Sequence, residues 1–236
     1  MNCEILKNGM AELGIPCSDE ILRKFGVYYE LLTEKNKVMN LTAITDEDEV
    51  SRLHFLDCLA IMKLCDFQGK KVMDIGSGAG FPGLPIKIAD DSVNLTMMDA
   101  LAKRIGFLSE VIAVTDITNA EAVHGRAEEF SVKAPHRDGY DIAVSRAVAR
   151  LSVLCELCMP FVKVGGVFIA MKSVNTEEEI NEAKNAVKTL GGKIEKVVDY
   201  AVPTTDVLHR AVIIRKNSAT PKGYPRRFAK ISKAPL

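Results

Sequence analysis

The sequence has no long apolar run, no net charge and no disulfide-like spacing of its cysteines. No stretch approaches the roughly 20 apolar residues that cross a bilayer. Glu4 and Lys7 interrupt the N-terminus, which therefore lacks the apolar core of a signal peptide. We expect a cytoplasmic protein with no membrane partner. With 47% hydrophobic and 26% charged residues, the composition is typical of an ordinary globular chain and excludes a largely disordered one.

The six cysteines have no framework spacing, and a chain of 236 residues can build a core without disulfides. We expect reduced thiols. Cys155 and Cys158 form a CxxC pair, but no second pair completes a zinc site, so no metal site is predicted. The two cysteines lie in an apolar, helix-like stretch at 151–161. Their predicted role is packing in the core.

The most informative segment is a glycine-rich loop at 74–83, with the sequence DIGSGAGFPG. An apolar strand precedes it and a helix-like segment follows. In a doubly wound sheet this arrangement brings the backbone close to a nucleotide-like ligand. Asp74 ends the strand, and Gly76, Gly78 and Gly80 alternate after it.

The glycine spacing of this loop is compatible with two cofactors. Read literally, Gly78-x-Gly80-x-x-Gly83 is a dinucleotide fingerprint, which would suit an NAD(P)-dependent oxidoreductase. That fingerprint should begin directly at the end of the strand, and here it starts too late. The series Gly76, Gly78, Gly80 is in register, as in methyltransferases that use S-adenosylmethionine (SAM). SAM has a sulfonium and an ammonium but no phosphate, so an acid beside the loop suits it better than a phosphate cradle would.

Asp99 ends a second predicted strand, where a carboxylate can bind both hydroxyls of a ribose. Either cofactor has a ribose, so Asp99 does not decide between them. The alternative for these features is structural: the glycines only form a tight turn, and Asp99 caps the helix that begins near Ala102.

From residue 70 onward, strand and helix patterns alternate. They predict an α/β, Rossmann-like methyltransferase fold: a seven-stranded, mostly parallel sheet with helices on both faces and an antiparallel strand at its edge. A small N-terminal helical region at 1–66, with a helix start at Ser18 and another helix at 46–64, precedes a SAM-binding domain at 67–216 and a basic tail at 217–236. The predicted strands lie near 71–75, 94–98, 120–123, 140–145, 165–171, 194–201 and 210–215.

Charge is distributed unevenly. Residues 210–236 contain eight Lys or Arg and no acidic residue, so the rest of the chain has an equal acidic excess. Such a terminus is either a solvated tail or an arm that contacts RNA phosphates, with Tyr224 and Phe228 available to stack on bases.

The predicted fourth strand, 140–146, constrains the methyl acceptor because acceptors lie near its carboxyl end. It has neither an Asn/Asp-Pro-Pro-aromatic motif for an exocyclic amine nor a cysteine that could add to a pyrimidine. An acceptor that is already nucleophilic, such as guanine N7, fits this absence. Arg146 could position the base, the cofactor or a phosphate, or could pair with a carboxylate at the surface. His54 and Asp57, at i and i+3, predict a small polar cluster that is more often structural.

An ordered set of segments resembles the RsmG (GidB) family of 16S ribosomal RNA guanine-N7 methyltransferases. The family implies a SAM-binding domain that methylates N7 of one guanine in the small ribosomal subunit, with no obligate protein partner evident. An RNA-binding assembly factor that retains the SAM pocket is the alternative. The matching segments are 40–44, 54–57, 74–83, 99–108, 126–128, 145–147, 165–172 and 224–227.

The resemblance, together with the loop and Asp99, predicts a set of cofactor-binding residues. No catalytic acid or base is predicted, because N7 needs none. The chain departs from the family pattern at Lys35-Asn36 and at Cys58, and it has no tryptophan. Both changes lie in the helical region. The predicted set is Gly76, Gly78, Phe81, Asp99, Ala127, Glu128 and Arg146.

Overall fold

A computed structural model describes residues 1–236 and shows one seven-stranded sheet with helices on both faces. The strand order is β3-β2-β1-β4-β5-β7-β6, with parallel neighbours from β3 to β5 and antiparallel pairs at β5–β7 and β7–β6. The predicted fold class and all seven strands are confirmed. The strands are β1 Lys71–Ile75, β2 Asn94–Asp99, β3 Ala120–His124, β4 Tyr140–Arg146, β5 Val162–Ser173, β6 Gly192–Ala201 and β7 Leu208–Lys216.

The prediction of an antiparallel strand at the edge is wrong in position. The antiparallel strand is β7, which lies between β5 and β6, and the edge strand is β6. Burial explains the order, because β7 is almost continuously buried whereas most of β6 is exposed. A strand with a continuous apolar run is stabilised by neighbours on both sides.

Helices cover the sheet in two layers. The N-terminal helices, α5 and α6 build one core with one face of the sheet, and α8, α9 and α10 build a second core on the other. No helix combines the length and apolarity that crossing a bilayer requires. The α-helices are α1 Cys3–Leu13, α2 Asp19–Met39, α3 Glu47–Glu49, α4 Asp57–Ala60, α5 Gly83–Ala89, α6 Ala102–Val114, α7 Ala127–Phe130, α8 Leu151–Cys158, α9 Glu177–Thr189 and α10 Phe228–Lys233.

The helix predicted at 46–64 is continuous but not uniform. Between α3 and α4 the chain forms a π-helix at Val50–Leu56, and after α4 a 3₁₀ turn at Ile61–Lys63. The wider turn exposes backbone carbonyls that an α-helix would use, and π segments are frequent at functional sites. Here the carbonyl of Leu53 accepts a hydrogen bond from Arg146 at 3.1 Å.

The basic tail is not a free arm. Arg226 forms a bidentate ion pair with Glu156, whose side chain is fully buried in α8. Arg137 donates to the carbonyls of Thr220 and Tyr224, and the Tyr224 ring packs against the second core. The half-buried Tyr224 is therefore held by the fold, and its stacking on RNA bases stays a prediction. Ile231, in α10, is fully buried.

Half of the basic residues at 210–236 have acidic partners within the fold. Lys216 is fully buried, and its Nζ donates to three oxygens at 2.7–3.2 Å besides its 3.3 Å contact with Asp138. Arg210, Arg215 and Arg226 pair with acidic side chains. The cations without an acidic partner are Lys222, Arg227, Lys230 and Lys233.

Candidate active site

A cavity of about 530 Å³ lies at the carboxyl edge of the parallel strands. Segments that follow β1, β2, β3 and β4 line it, as expected where ligands bind in open α/β sheets. All seven residues predicted to bind the cofactor are among the residues that line this cavity. The seven are Gly76, Gly78, Phe81, Asp99, Ala127, Glu128 and Arg146.

Backbone hydrogen bonds fix the glycine loop against β2. The amides of Gly76 and Ser77 both donate to the carbonyl of Met98, at 2.8 and 3.1 Å. The Gly78 amide donates to Oδ2 of Asp99 at 3.0 Å. Gly76 and Gly78 have φ angles of 71° and 59°, a region that residues with a Cβ rarely adopt. The loop is thus preorganised beside Asp99.

Asp99 is 5% exposed and makes three hydrogen bonds in the fold. Besides the Gly78 amide, the Leu101 amide donates to its Oδ1 at 2.9 Å and Arg104 donates to its Oδ2 at 3.2 Å. The structural alternative is therefore partly right, because the loop is a tight turn and Asp99 stabilises the turn before α6, but no side chain caps α6 itself. The alternative is incomplete, since the same carboxylate also fixes the loop and lines the cavity.

The acid beside the loop, Asp74, does not face the cavity. Its side chain is fully buried and its Oδ2 accepts the amide of Gly83 at 2.9 Å, while Oδ1 has no partner. Burial raises the pKa of Asp74 to about 7. The expectation that this acid suits a cationic ligand is wrong, because the carboxylate stabilises the start of α5 instead.

Helix α2 reaches the glycine loop through Tyr28. Its hydroxyl donates to the carbonyl of Ala79, and the ring is fully buried. A Cβ on Gly80 would come within 2.7 Å of that hydroxyl and 2.6 Å of Leu84, so only glycine fits there. The N-terminal helices therefore support the loop directly.

Arg146, at the end of β4, is held by the π-helix and α4. Its NH1 donates to Oδ2 of Asp57 at 3.0 Å, and its NH2 lies 3.1 Å from Nδ1 of His54. The guanidinium carbon lies 4.6 Å from the centre of the Phe81 ring. His54 stacks on the same ring, with 4.5 Å between centroids. The predicted pairing with a carboxylate is observed, but the pair is buried and not at the surface, and Arg146 also lines the cavity.

These contacts shift the pKa values of His54 and Asp57. Burial, aided by the charge of Arg146, lowers the pKa of His54 to about 4. In the neutral ring, Nδ1 lies 3.1 Å from NH2 of Arg146 and 3.2 Å from the Leu53 carbonyl, and Nε2 lies 2.7 Å from Thr42 Oγ1. Burial opposes ionisation of Asp57, but hydrogen bonding to His209 and the charge of Arg146 outweigh it and lower its pKa. The buried charge of Arg146 is thus balanced by Asp57.

Two further partners of Asp57 come from the antiparallel end of the sheet. Tyr200, in β6, donates its hydroxyl to Oδ1 at 2.9 Å, and His209, in β7, donates through Nδ1 at 2.7 Å. Sequence reasoning found the polar cluster of His54 and Asp57 but missed these two, since more than 140 residues separate each from Asp57. No local pattern could have indicated such a pairing.

Comparison with known proteins identifies the family. The family model described as rRNA small subunit methyltransferase G, GidB, matches residues 21–207. The chain belongs to this family. A Lachnoclostridium phytofermentans protein named ribosomal RNA small subunit methyltransferase G is 48% identical over 229 residues, covering 97% of this chain and 95% of the relative. A Clostridium perfringens SM101 protein of the same name is 44% identical over 234 residues, covering 99% and 98%.

Solved structures share the fold at low sequence identity. A point mutant of MtNAS superposes with a TM-score of 0.57 at 14% identity, over 91% of this chain and 86% of that one. TYW2 of M. jannaschii, solved with AdoMet, gives a TM-score of 0.52 at 13% identity, over 67% and 72%. Membership of the GidB family makes the chain an rRNA methyltransferase and confirms the predicted family and enzyme class. It favours a methyltransferase over an oxidoreductase.

Neither cysteine of the CxxC pair lines the cavity, although Leu157 between them does. Cys155 and Cys158 are fully buried in α8, where burial raises the pKa of both thiols. Their predicted place in the core is confirmed. Phe228, by contrast, lines the cavity. The sequence predicted it on a solvated tail or on an arm that contacts RNA.

Proposed function

We propose that this chain transfers the methyl group of SAM to N7 of one guanine in 16S ribosomal RNA, within the small ribosomal subunit. The observation that carries the proposal is the cavity at the carboxyl edge of the sheet, with Asp99 fixed beside the glycine loop, in a chain that belongs to an rRNA methyltransferase family. Bound there, SAM would supply an electrophilic methyl group on a sulfonium. The protein's part is to hold and align the two reactants.

The residues present fit this cofactor. A carboxylate offers about four acceptor positions, and Asp99 uses three of them, so one remains for a ribose hydroxyl and a second becomes free if Arg104 moves. A Cβ on Gly78 would meet nothing nearer than the Gly76 carbonyl at 4.0 Å, so a ligand can approach the backbone there. Ala127 and Glu128 supply the cavity wall after β3.

The start of α5 is not suited to bind the pyrophosphate of a dinucleotide. A pyrophosphate in that mode would bind free amides at the helix N-terminus. Here the Gly83 amide already donates to Asp74, and the Leu84 amide donates to the Gly80 carbonyl at 2.8 Å. This occupied N-terminus supports SAM over NAD(P).

Methylation at N7 suits the charges at the β4 end of the cavity. Transfer of the methyl group would leave a neutral thioether and a purine with a positive charge, and no proton would be released. Arg146 alone would oppose that charge, but Asp57 lies 3.0 Å from its NH1 and balances it. We infer that alignment, with no general base, is the source of catalysis.

The proposal is tested by calorimetric titration of the protein with SAM and with NAD⁺, followed by transfer of labelled methyl to small subunits from cells that lack the protein. Micromolar binding of SAM alone, with label incorporated into 16S RNA, supports it. Binding of SAM without transfer to the particle or to free RNA favours the assembly-factor alternative. Binding of NAD⁺ in place of SAM overturns it.

Arg226 and Arg227 make a matched pair for testing RNA contact by the tail. Arg227→Ala removes a cation without an acidic partner, so particle binding should weaken and the slope of log K against log salt should fall by about 1. Arg226→Ala leaves the fully buried Glu156 without its cation and should cost about 3–5 kcal/mol of stability. An unchanged salt slope in Arg227→Ala would show that Arg227 is merely solvated.

A further inference from the structure

Phe228 is a large apolar side chain left partly uncovered at the cavity. It is 40% exposed, begins α10 and lines the same cavity as the glycine loop. The guanidinium carbon of Arg126 lies 6.0 Å from the centre of its ring. An aromatic face beside a cation at a cavity wall is a surface on which a flat heteroaromatic ring can stack.

The position of Arg126 tells which end of the cavity Phe228 occupies. The sheet order β3-β2-β1-β4 places residues 125–128, after β3, at one end of the cavity and Arg146, after β4, at the other. Neighbouring strands are about 4.8 Å apart, so three spacings separate the ends by roughly 14 Å. Phe228 therefore belongs to the end that contains Asp99 and Ala127, where the proposed function puts the adenosine half of SAM.

The fold holds this ring in place. Two residues before it, Arg226 binds the buried Glu156 through its backbone amide at 2.7 Å and through its guanidinium. Three residues after it, Ile231 is fully buried in the second core. Contacts on both sides thus restrict the backbone at Phe228. A ring that is positioned before the ligand arrives loses little conformational entropy on binding.

We propose that Phe228 is a cofactor-binding residue that stacks on the adenine of SAM, so that the basic tail completes the cofactor pocket. This inference rests on the proposed function. The ring adds apolar contact at the adenosine end, while Asp99 and the glycine loop hold the ribose and the methionine part. Removal of one base-stacking aromatic ring typically weakens binding about tenfold.

The test compares Phe228→Ala with Phe228→Tyr, and uses Leu208→Ala as the matched control. Leu208 is 53% exposed in β7 and does not line the cavity. By calorimetry, Phe228→Ala should raise the Kd for SAM and for its demethylated product about tenfold. Phe228→Tyr and Leu208→Ala should stay within twofold of wild type. At saturating SAM, the KM for small subunits should be unchanged in Phe228→Ala.

Other results overturn the inference in recognisable ways. Unchanged SAM affinity in Phe228→Ala, with the same urea midpoint as wild type, shows that the ring does not contact the cofactor. A raised KM for the particle with unchanged SAM affinity places Phe228 against RNA instead. If the wild-type protein itself neither binds SAM nor transfers methyl, the proposed function fails and this inference fails with it.

Discussion

Asp57→Ala is expected to lower the free energy of unfolding by about 3–5 kcal/mol, because it leaves the guanidinium of Arg146 buried without its carboxylate. Such a loss is a large fraction of the roughly 5–15 kcal/mol that stabilises a typical domain. Urea unfolding at neutral pH measures it. Tyr200→Phe is the matched control, since it removes only one hydrogen bond to Asp57 and should cost about 1 kcal/mol. Equal effects of the two substitutions would contradict the assigned role of Asp57.

Asp57→Asn keeps the volume of the side chain. If Asp57→Ala does not fold, this variant tests the same role through the pH dependence of stability. The hydrogen bond from His209 to Asp57 raises the pKa of His209 above 6.5. A raised folded-state pKa means that this contribution to stability is complete below pH 6.5 and is lost as pH rises through the higher value. Asp57→Asn should remove that decline from the stability profile above pH 6.5. A decline as steep as in wild type would assign it to another group.

Asp99→Asn is expected to weaken SAM binding about 100-fold. An amide has one acceptor oxygen, so it cannot serve both the Gly78 and Leu101 amides, and it replaces the charged acceptor for the ribose. Isothermal titration with SAM measures the change. Asp206→Asn, in the exposed turn between β6 and β7 and away from the cavity, should bind as wild type does. Binding within twofold of wild type in Asp99→Asn would remove Asp99 from the cofactor site.

Local patterns predicted the strands and the loop because burial and glycine spacing leave a signature along the chain. The segment 71–75 is buried after Lys71 and contains three apolar residues, and the glycines at 76, 78 and 80 have positive φ. The position of β7 was not predictable in this way, since strand order depends on which of two neighbouring strands gains more from burial. The π-helix also leaves no periodic signal, and it is stabilised by Arg146 from a distant strand.

The basic tail shows the limit of reasoning from charge. A run of cations predicts a solvated or RNA-binding arm, but burial of Glu156 in α8 and the acceptors around Lys216 tie two of these cations, Arg226 and Lys216, to the fold. Composition gives no information on which cations find partners. The cavity position of Phe228 follows from the same contacts and could not be predicted from the sequence.

The central claim is that this cavity delivers a methyl group from SAM to N7 of one guanine, and nucleotide-resolution mapping of N7-methylguanine tests it most directly. Small subunits from cells that lack the protein are incubated with SAM and either the wild-type chain or Asp99→Asn. The account predicts one new N7-methylguanine in 16S RNA with wild type and strongly reduced modification with Asp99→Asn at limiting SAM. Methylation at another atom or at many guanines, or no methylation with wild type, would contradict it.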